Sequence, residues 1–321
     1  MGWLSRALFG MSGEEAPFAV RGFHVGDARA RVRLEAVGGT CLHGYHAALE
    51  AGESELLGAR LNEVDRELRG FAFEGAAMGL ALLDHLTPWK RNRLHAFLGG
   101  VGEAHAYMVH VGVGWAIARL PWLRRNVQGP MAQLDPLLRW LVLDGFGFHE
   151  GYFHWPRTVK CQAVPAGLSG YALRAFDQGV GRSLWFVEGA DVARIAESIA
   201  AFDPGRRADL WSGVGLACAY AGGTEPEAME ALVALAGRYR PQLAQGAAFA
   251  AQARRRAGNS TPHTELACEV LCGVSAHMAA QVTDDALEHL PPDGAEPAYE
   301  VWRRHIQVHF AKELLKEAVP V

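Results

Sequence analysis

The 321-residue chain gathers its densest set of titratable side chains into one aromatic stretch, Asp144-Gly-Phe-Gly-Phe-His149-Glu150-Gly-Tyr-Phe-His154-Trp155. Two carboxylates beside two histidines are the residue types of acid–base catalysis. Apolar neighbours such as Phe146, Phe148, Tyr152 and Phe153 disfavour the charged form of a carboxyl, so a site built here could hold a protonated acid at neutral pH. An earlier segment, Gly-Phe-Ala-Phe-Glu74-Gly, parallels the Gly-Phe-Gly-Phe-His-Glu-Gly run and follows Arg69, and His105 lies in the next segment. The candidate catalytic set is therefore Asp144, His149, Glu150, Glu74 and Arg69. Phe146, Phe148, Tyr152, Phe153, Trp185 and His105 are the candidate substrate-binding residues. The competing reading makes these groups a solvated or salt-bridged face.

Metal and redox signatures are sparse. His149-Glu150 with His154 departs from the zinc-protease pattern, which needs histidines at i and i+4 on one helix face. His43 and His46, three apart, do share a face and form the minimal local ligand pair. Ligands drawn from separate segments, such as His43, His46, His105 and His149, would leave no spacing signature, so a metal-dependent oxidative enzyme stays open. No cofactor is specified. The five cysteines are odd in number and scattered, which reads as reduced thiols in a cytoplasm. Cys268 and Cys272 sit one helical turn apart and read as packed thiols. No nucleophile elbow, phosphate loop, dinucleotide fingerprint or haem-attachment motif occurs. A formal net charge of −4 with mixed signs gives no basic block for nucleic acid or anionic lipid. No apolar run is long enough to span a membrane, Ala106 to Leu120 being the nearest approach. Met1 to Gly13 lacks a secretory pattern, though Trp3, Leu4, Leu8 and Phe9 suit a short docking helix.

The elements that must position these residues read as almost wholly α-helical, with a degenerate repeat of about 33 residues. Its marker is an interior glycine, at 44, 70, 100, 145, 179, 213, 246 and 273, with steps of 26, 30, 45, 34, 34, 33 and 27. The long step fits an insertion at Trp122 to Gln133. Asp135-Pro136 and Asp203-Pro204 each begin ten residues before their glycine and suit helix starts. Glycine inside a helix costs about 1 kcal/mol relative to alanine, and close approach of a neighbouring helix would explain it. Asp203 to Ala236 resembles one tetratricopeptide-type unit. The expected architecture is a tetratricopeptide-like helical-hairpin array, an α-solenoid or a closed α/α superhelix. Residues 1–37 form an N-terminal segment with two short strands between Val20 and Val37. Residues 38–321 form the repeat domain, with a seam near 156–170. The residue before each glycine (His43, Arg69, Gly99, Asp144, Gln178, Ser212, Gln245, Cys272) draws a mostly polar stripe. That stripe faces a shared cavity, or its members satisfy one another across helix contacts.

Four long motifs carry a resemblance: Arg69-Gly-Phe-Ala-Phe-Glu-Gly-Ala-Ala-Met78, Leu141-Val-Leu-Asp-Gly-Phe-Gly-Phe-His-Glu-Gly-Tyr-Phe153, Phe176-Asp-Gln-Gly-Val-Gly-Arg-Ser-Leu-Trp-Phe-Val-Glu-Gly189 and Asp209-Leu-Trp-Ser-Gly-Val-Gly-Leu-Ala-Cys-Ala-Tyr-Ala-Gly-Gly223. With them the whole chain resembles a bacterial domain-of-unknown-function family. Its members look like accessory proteins of enediyne polyketide gene clusters. The resemblance implies a role in maturing a polyene or enediyne intermediate, and supplies no reaction, cofactor or catalytic residue.

Three function classes follow. The first is a cytoplasmic biosynthetic protein that binds a hydrophobic polyene intermediate in a helical cavity and isomerises or cyclises it by acid–base chemistry. The second is a non-catalytic repeat scaffold that binds a pathway enzyme or carrier protein. The third is the metal-dependent oxidative enzyme.

Overall fold

The computed structural model describes residues 9–12, 15–51, 54–87 and 92–317; Trp3, Leu4 and Leu8 lie outside them. In chain order the helices are α1 (Phe18–Arg21), α2 (Ala28–Glu50), α3 (Ser54–Asn62), α4 (Arg69–Leu86), α5 (Arg93–Leu98), α6 (Ala106–Arg119), α7 (Pro121–Arg125), α8 (Gln128–Met131) and α9 (Trp140–Phe153). The second half adds α10 (Gly170–Val187), α11 (Val192–Ala201), α12 (Arg207–Ala221), α13 (Pro226–Ala236), α14 (Arg240–Arg256), α15 (Pro262–Cys272), α16 (Ala276–Asp285) and α17 (Ala298–Glu317). No strand forms among the described residues. The stretch expected to hold two strands lies in α1, a loop and α2. Asp27 caps α2 by accepting from Arg29 N (2.7 Å) and Ala30 N (3.0 Å). Ala30, Leu34, Val37 and Cys41 then recur at helical spacing and are buried, so the helical period prevails over the local alternation. Because α2 runs unbroken through position 37, the N-terminal segment ends before Ala28.

Seven long inner helices (α2, α4, α6, α9, α10, α12, α14) pack side by side, with shorter helices behind them. Their contacts are set by glycine. A Cβ placed on Gly112, Gly145, Gly179, Gly213 or Gly246 would fall 1.8–2.1 Å from a carbonyl oxygen of the preceding inner helix. Those oxygens belong to Glu74, Val111, Asp144, Gln178 and Ser212, each the residue before the register position one helix earlier. Gly75 rests in the same way on the Cys41 carbonyl. Two residues on, Gly114, Gly147, Gly181 and Gly215 press against the following helix, on the carbonyls of Val142, Phe176, Leu210 and Leu243. Any side chain at these positions would force the backbones apart.

The register is therefore Gly75, Gly112, Gly145, Gly179, Gly213 and Gly246, with steps of 37, 33, 34, 34 and 33. Gly70, Gly100 and Gly273 fall outside it. Gly70 makes room for the Tyr220 hydroxyl, Gly100 meets only its own preceding turn, and Gly273 is a left-handed cap at φ +72°. With Gly112 in place no insertion is needed. Trp122 to Gln133 is the outer half of a repeat and carries α7 and α8. Asp135 and Asp203 do cap the turns leading into α9 and α12, accepting from Leu137, Leu138 and Gly205 nitrogens. Asp65, ten residues before Gly75, accepts from Glu67 N in the same manner. Across 156–170 the inner layer is continuous, since α9 and α10 interlock through Gly147 and Gly179. At α15 the capping residue is Thr261, whose hydroxyl accepts from Thr264 N at 3.3 Å, and the Thr264 hydroxyl donates to the Ala219 carbonyl.

The array winds through one tight turn and its ends meet. Arg33 of α2 donates to the Ala221 carbonyl of α12, Arg254 of α14 donates to the Glu67 carbonyl, and Arg66 donates to the Gly258 carbonyl. Helix α17 fills the hollow at one end. Its Tyr299, Trp302 and Arg303 are fully buried, and Arg303 donates to Asp209 (2.8 Å) and Gln245 (3.2 Å). At the other end the segment Glu15–Gly26 lies as a cover, held by Trp155 donating to the Arg21 carbonyl and by the edge contact of Phe23 with Tyr152.

Candidate active site

The polar stripe is a ladder rather than a cavity wall. Gln178 donates to Asp144 (2.7 Å), Ser212 donates to Gln245 (2.9 Å), and Gln245 in turn receives Arg303 from α17. Buried amides and hydroxyls of successive helices thus pair with one another, while the Gln245 amide nitrogen stays buried without a partner.

Where the ladder ends, a cleft begins. It is walled by Val37, Cys41, Phe71, Trp115, Phe148, Tyr152, Phe153 and Phe186, with Glu74 and Arg182 as its buried charged groups and Glu15 and Ala16 at the cover. Arg182 forms a close ion pair with Asp144, lies 3.9 Å from Glu74 Oε1, and stacks 4.8 Å over the Phe148 ring. Trp115 Nε1 donates to Glu74 Oε1 at 3.0 Å. One cation thus serves two carboxylates, and Asp144 holds it more closely. Burial pushes the Glu74 carboxyl up to about 7, against the attraction of Arg182. Burial opposes the charge on Arg182, but Asp144 and Glu74 together keep it protonated. Burial also raises the Cys41 thiol well above its usual range.

The family follows from the whole chain. A family model described as "Protein of unknown function (DUF1702)" matches residues 1–310. The chain belongs to this family. No curated protein and no solved structure matches it.

Of the candidates, Glu74, Phe148, Tyr152 and Phe153 line this cleft, and Asp144 anchors its cation. His149 and Glu150 line two adjoining surface clefts that share Arg124, Phe153 and His154. There His149 Nδ1 lies 3.3 Å from Glu150 Oε1, and Arg124 donates to Glu150 Oε2 at 2.9 Å. Burial lowers the His149 pKa; for Glu150 burial works upward but the hydrogen bond to His149 and the nearby cations outweigh it. The indole of Trp115 separates the two places, edge-on to His149 at 5.7 Å.

The other candidates stand elsewhere. Arg69 donates to the Asn62 and Val64 carbonyls and closes the turn before α4. Phe146 packs edge-on against Phe176 in the core. Trp185 is fully buried and donates to the Gly222 carbonyl. His105 stacks on Phe73 at 3.9 Å, and burial lowers its pKa to about 4. His43 is exposed while His46 accepts from Met11 N, and neither belongs to a three-residue group of converging metal-ligand atoms among the described residues.

Arg182, Trp115 and Cys41 complete the cleft. Their signal was positional: Trp115, Phe148 and Arg182 each stand three residues after a register glycine, and Glu74 and Asp144 stand one before.

Proposed function

We propose that the protein binds an elongated apolar polyene in the Glu74 cleft and isomerises or cyclises it by proton transfer, as an accessory step of enediyne or related polyketide assembly. The observation that carries this reading is a carboxyl held near pKa 7 inside an aromatic-walled cleft beside a fixed, neutralised cation. A general acid works best when its pKa lies near the operating pH. Glu74 delivers its proton to one carbon of a double bond. The positive charge left on the chain lies among the rings of Phe71 and Trp115, and aromatic rings stabilise cations through their π faces. Loss of a proton from an adjacent carbon returns it to the Glu74 carboxylate, so isomerisation is redox-neutral. Attack by a second double bond before that loss closes a ring. Asp144 keeps Arg182 paired, so the guanidinium adds no net charge opposing the cation.

The free space within the cleft is only about 40 Å³, room for a few waters. A polyene therefore enters when the cover at Glu15–Gly26 moves, which exposes the Ala16 side of the cleft. The pathway assignment rests on the sequence motifs. The cytoplasmic assignment rests on five free cysteines, four of them buried. A scaffold role has less support, because α17 occupies the hollow that such arrays offer to partners. No single helix among the described residues is long and apolar enough to cross a membrane.

The test is incubation with a conjugated polyene in deuterated water. Wild-type protein should incorporate deuterium into the recovered isomer. Glu74→Gln, which preserves size and the Trp115 contact, should bind the polyene equally and lose exchange by roughly 100-fold or more. Unchanged exchange in that variant would remove Glu74 from the reaction.

A further inference from the structure

The surface cleft beside the apolar one contains side chains that acid–base chemistry at Glu74 does not use. We infer that His149, Glu150 and His154 form a binding site for a divalent transition-metal ion. One ligand atom from each lies within 4.8 Å of the others, the one such three-residue group among the described residues.

The way α9 ends creates this convergence. On a continuous helix, residues five apart stand roughly 140° from each other around the axis and cannot share an ion. The helix stops at Phe153. His154 leaves helical geometry at φ −125°, ψ 31°, and a π-helical turn follows at Pro156–Lys160. The His154 ring is thereby carried back to 6.0 Å from that of His149.

The three groups have complementary freedoms. His149 and Glu150 are buried and fixed, whereas His154 is exposed and able to rotate. Metal bonds of about 2.0–2.2 Å to imidazole nitrogen and carboxylate oxygen require ligand atoms closer than 4.8 Å, a distance that His154 closes by turning inward. Arg124 holds Glu150 Oε2 and leaves Oε1 toward His149. A bonded outer partner of this kind orients a metal carboxylate.

Two imidazoles and one carboxylate suit zinc, iron(II) or cobalt(II) rather than calcium or magnesium, which take oxygen ligands. Three protein ligands also leave coordination positions open. These face a cleft of about 420 Å³ whose rim carries Arg119 and Arg124. Glu15 on the same rim is paired with Arg21 and Arg124 with Glu150, which leaves the Arg119 guanidinium to favour an anionic ligand on the open positions.

Cobalt(II) is the probe, because its visible spectrum reports coordination by imidazole and needs no substrate. Metal-stripped wild-type protein should bind one cobalt(II) per chain, displaceable by zinc and not by calcium. His154→Ala alters an exposed residue and should fold normally by circular dichroism. It should weaken binding at least as much as the roughly 10–100-fold that loss of an outer partner costs. His43→Ala and Glu74→Gln should bind cobalt as wild type does, which keeps this test independent of the acid–base reading. Equal cobalt affinity in wild type and His154→Ala, or loss of the spectrum in His43→Ala instead, would overturn the assignment.

Discussion

Glu74 and Asp144 compete for one guanidinium, and their distances decide the outcome. Asp144 takes Arg182 at close range and receives Gln178 on its other oxygen, while Glu74 stands back at 3.9 Å. The surplus carboxyl is the one that keeps its proton. Its ordinary value is 4.5 and its folded value is about 7, so the folded state binds the proton more tightly than the unfolded state. Stability from this group is complete below pH 4.5 and is lost as pH rises through 7. Urea unfolding measured from pH 4 to 8 should show that decline in wild type, and Glu74→Gln should remove its share of the slope. Asp144→Asn should move the Glu74 transition downward, because it deletes a repelling charge and leaves Arg182 to Glu74 alone. Breaking the buried pair should also cost about 3–5 kcal/mol. Carboxyl carbon shifts in labelled protein would report the first effect, and denaturant midpoints the second.

At the scale of elements, glycine does two opposite things in these helices. At Gly179 a methyl group would collide with the Asp144 carbonyl, whereas at Gly39, exposed on α2, nothing lies within 4 Å. Gly179→Ala should cost on the order of 3 kcal/mol, since two backbones must separate. Gly39→Ala should instead gain about 0.5–1 kcal/mol of helix propensity. Thermal melts of the two variants would distinguish close-approach glycines from incidental ones. The same distinction explains what the sequence could convey. Gly145, Gly179, Gly213 and Gly246 were legible from even spacing, and Asp135 and Asp203 from their position ten residues upstream. With 37 glycines in the chain, however, spacing alone could not separate Gly75 and Gly112 from Gly70 and Gly100. That error placed Arg69 in the polar stripe where Glu74 belongs. It also hid the pairings of Trp115 with Glu74 and of Arg182 with Asp144, which join residues 41 and 38 apart. The i to i+5 spacing of His149 and His154 carries no sign of their approach, because the end of the helix at Phe153 brings it about.

At the scale of the molecule, closure changes how the array should unfold. An open repeat protein gains each unit's stability from its neighbours alone and can fray from an end. Here Arg254 and Arg66 tie the last inner helix and its following turn to the turn before α4, and α17 locks three inner helices through Arg303 and Tyr171. Tryptophan fluorescence and far-ultraviolet circular dichroism should therefore report one coincident transition in denaturant. Arg254→Ala should separate the two probes as well as lower the midpoint, since it removes bonds to both the Glu67 and Tyr220 carbonyls.

The meeting of the two ends also bears on how such a chain can change over generations. Open solenoids lengthen by duplicating a hairpin, because a new unit needs only two neighbours. In this chain an extra hairpin anywhere between α4 and α14 would carry Arg254 away from the Glu67 carbonyl, and one between α4 and α12 would also carry Tyr220 away from the recess at Gly70. Copy number is then fixed by geometry, and variation is left to the outer helices and loops, whose lengths the inner layer does not constrain.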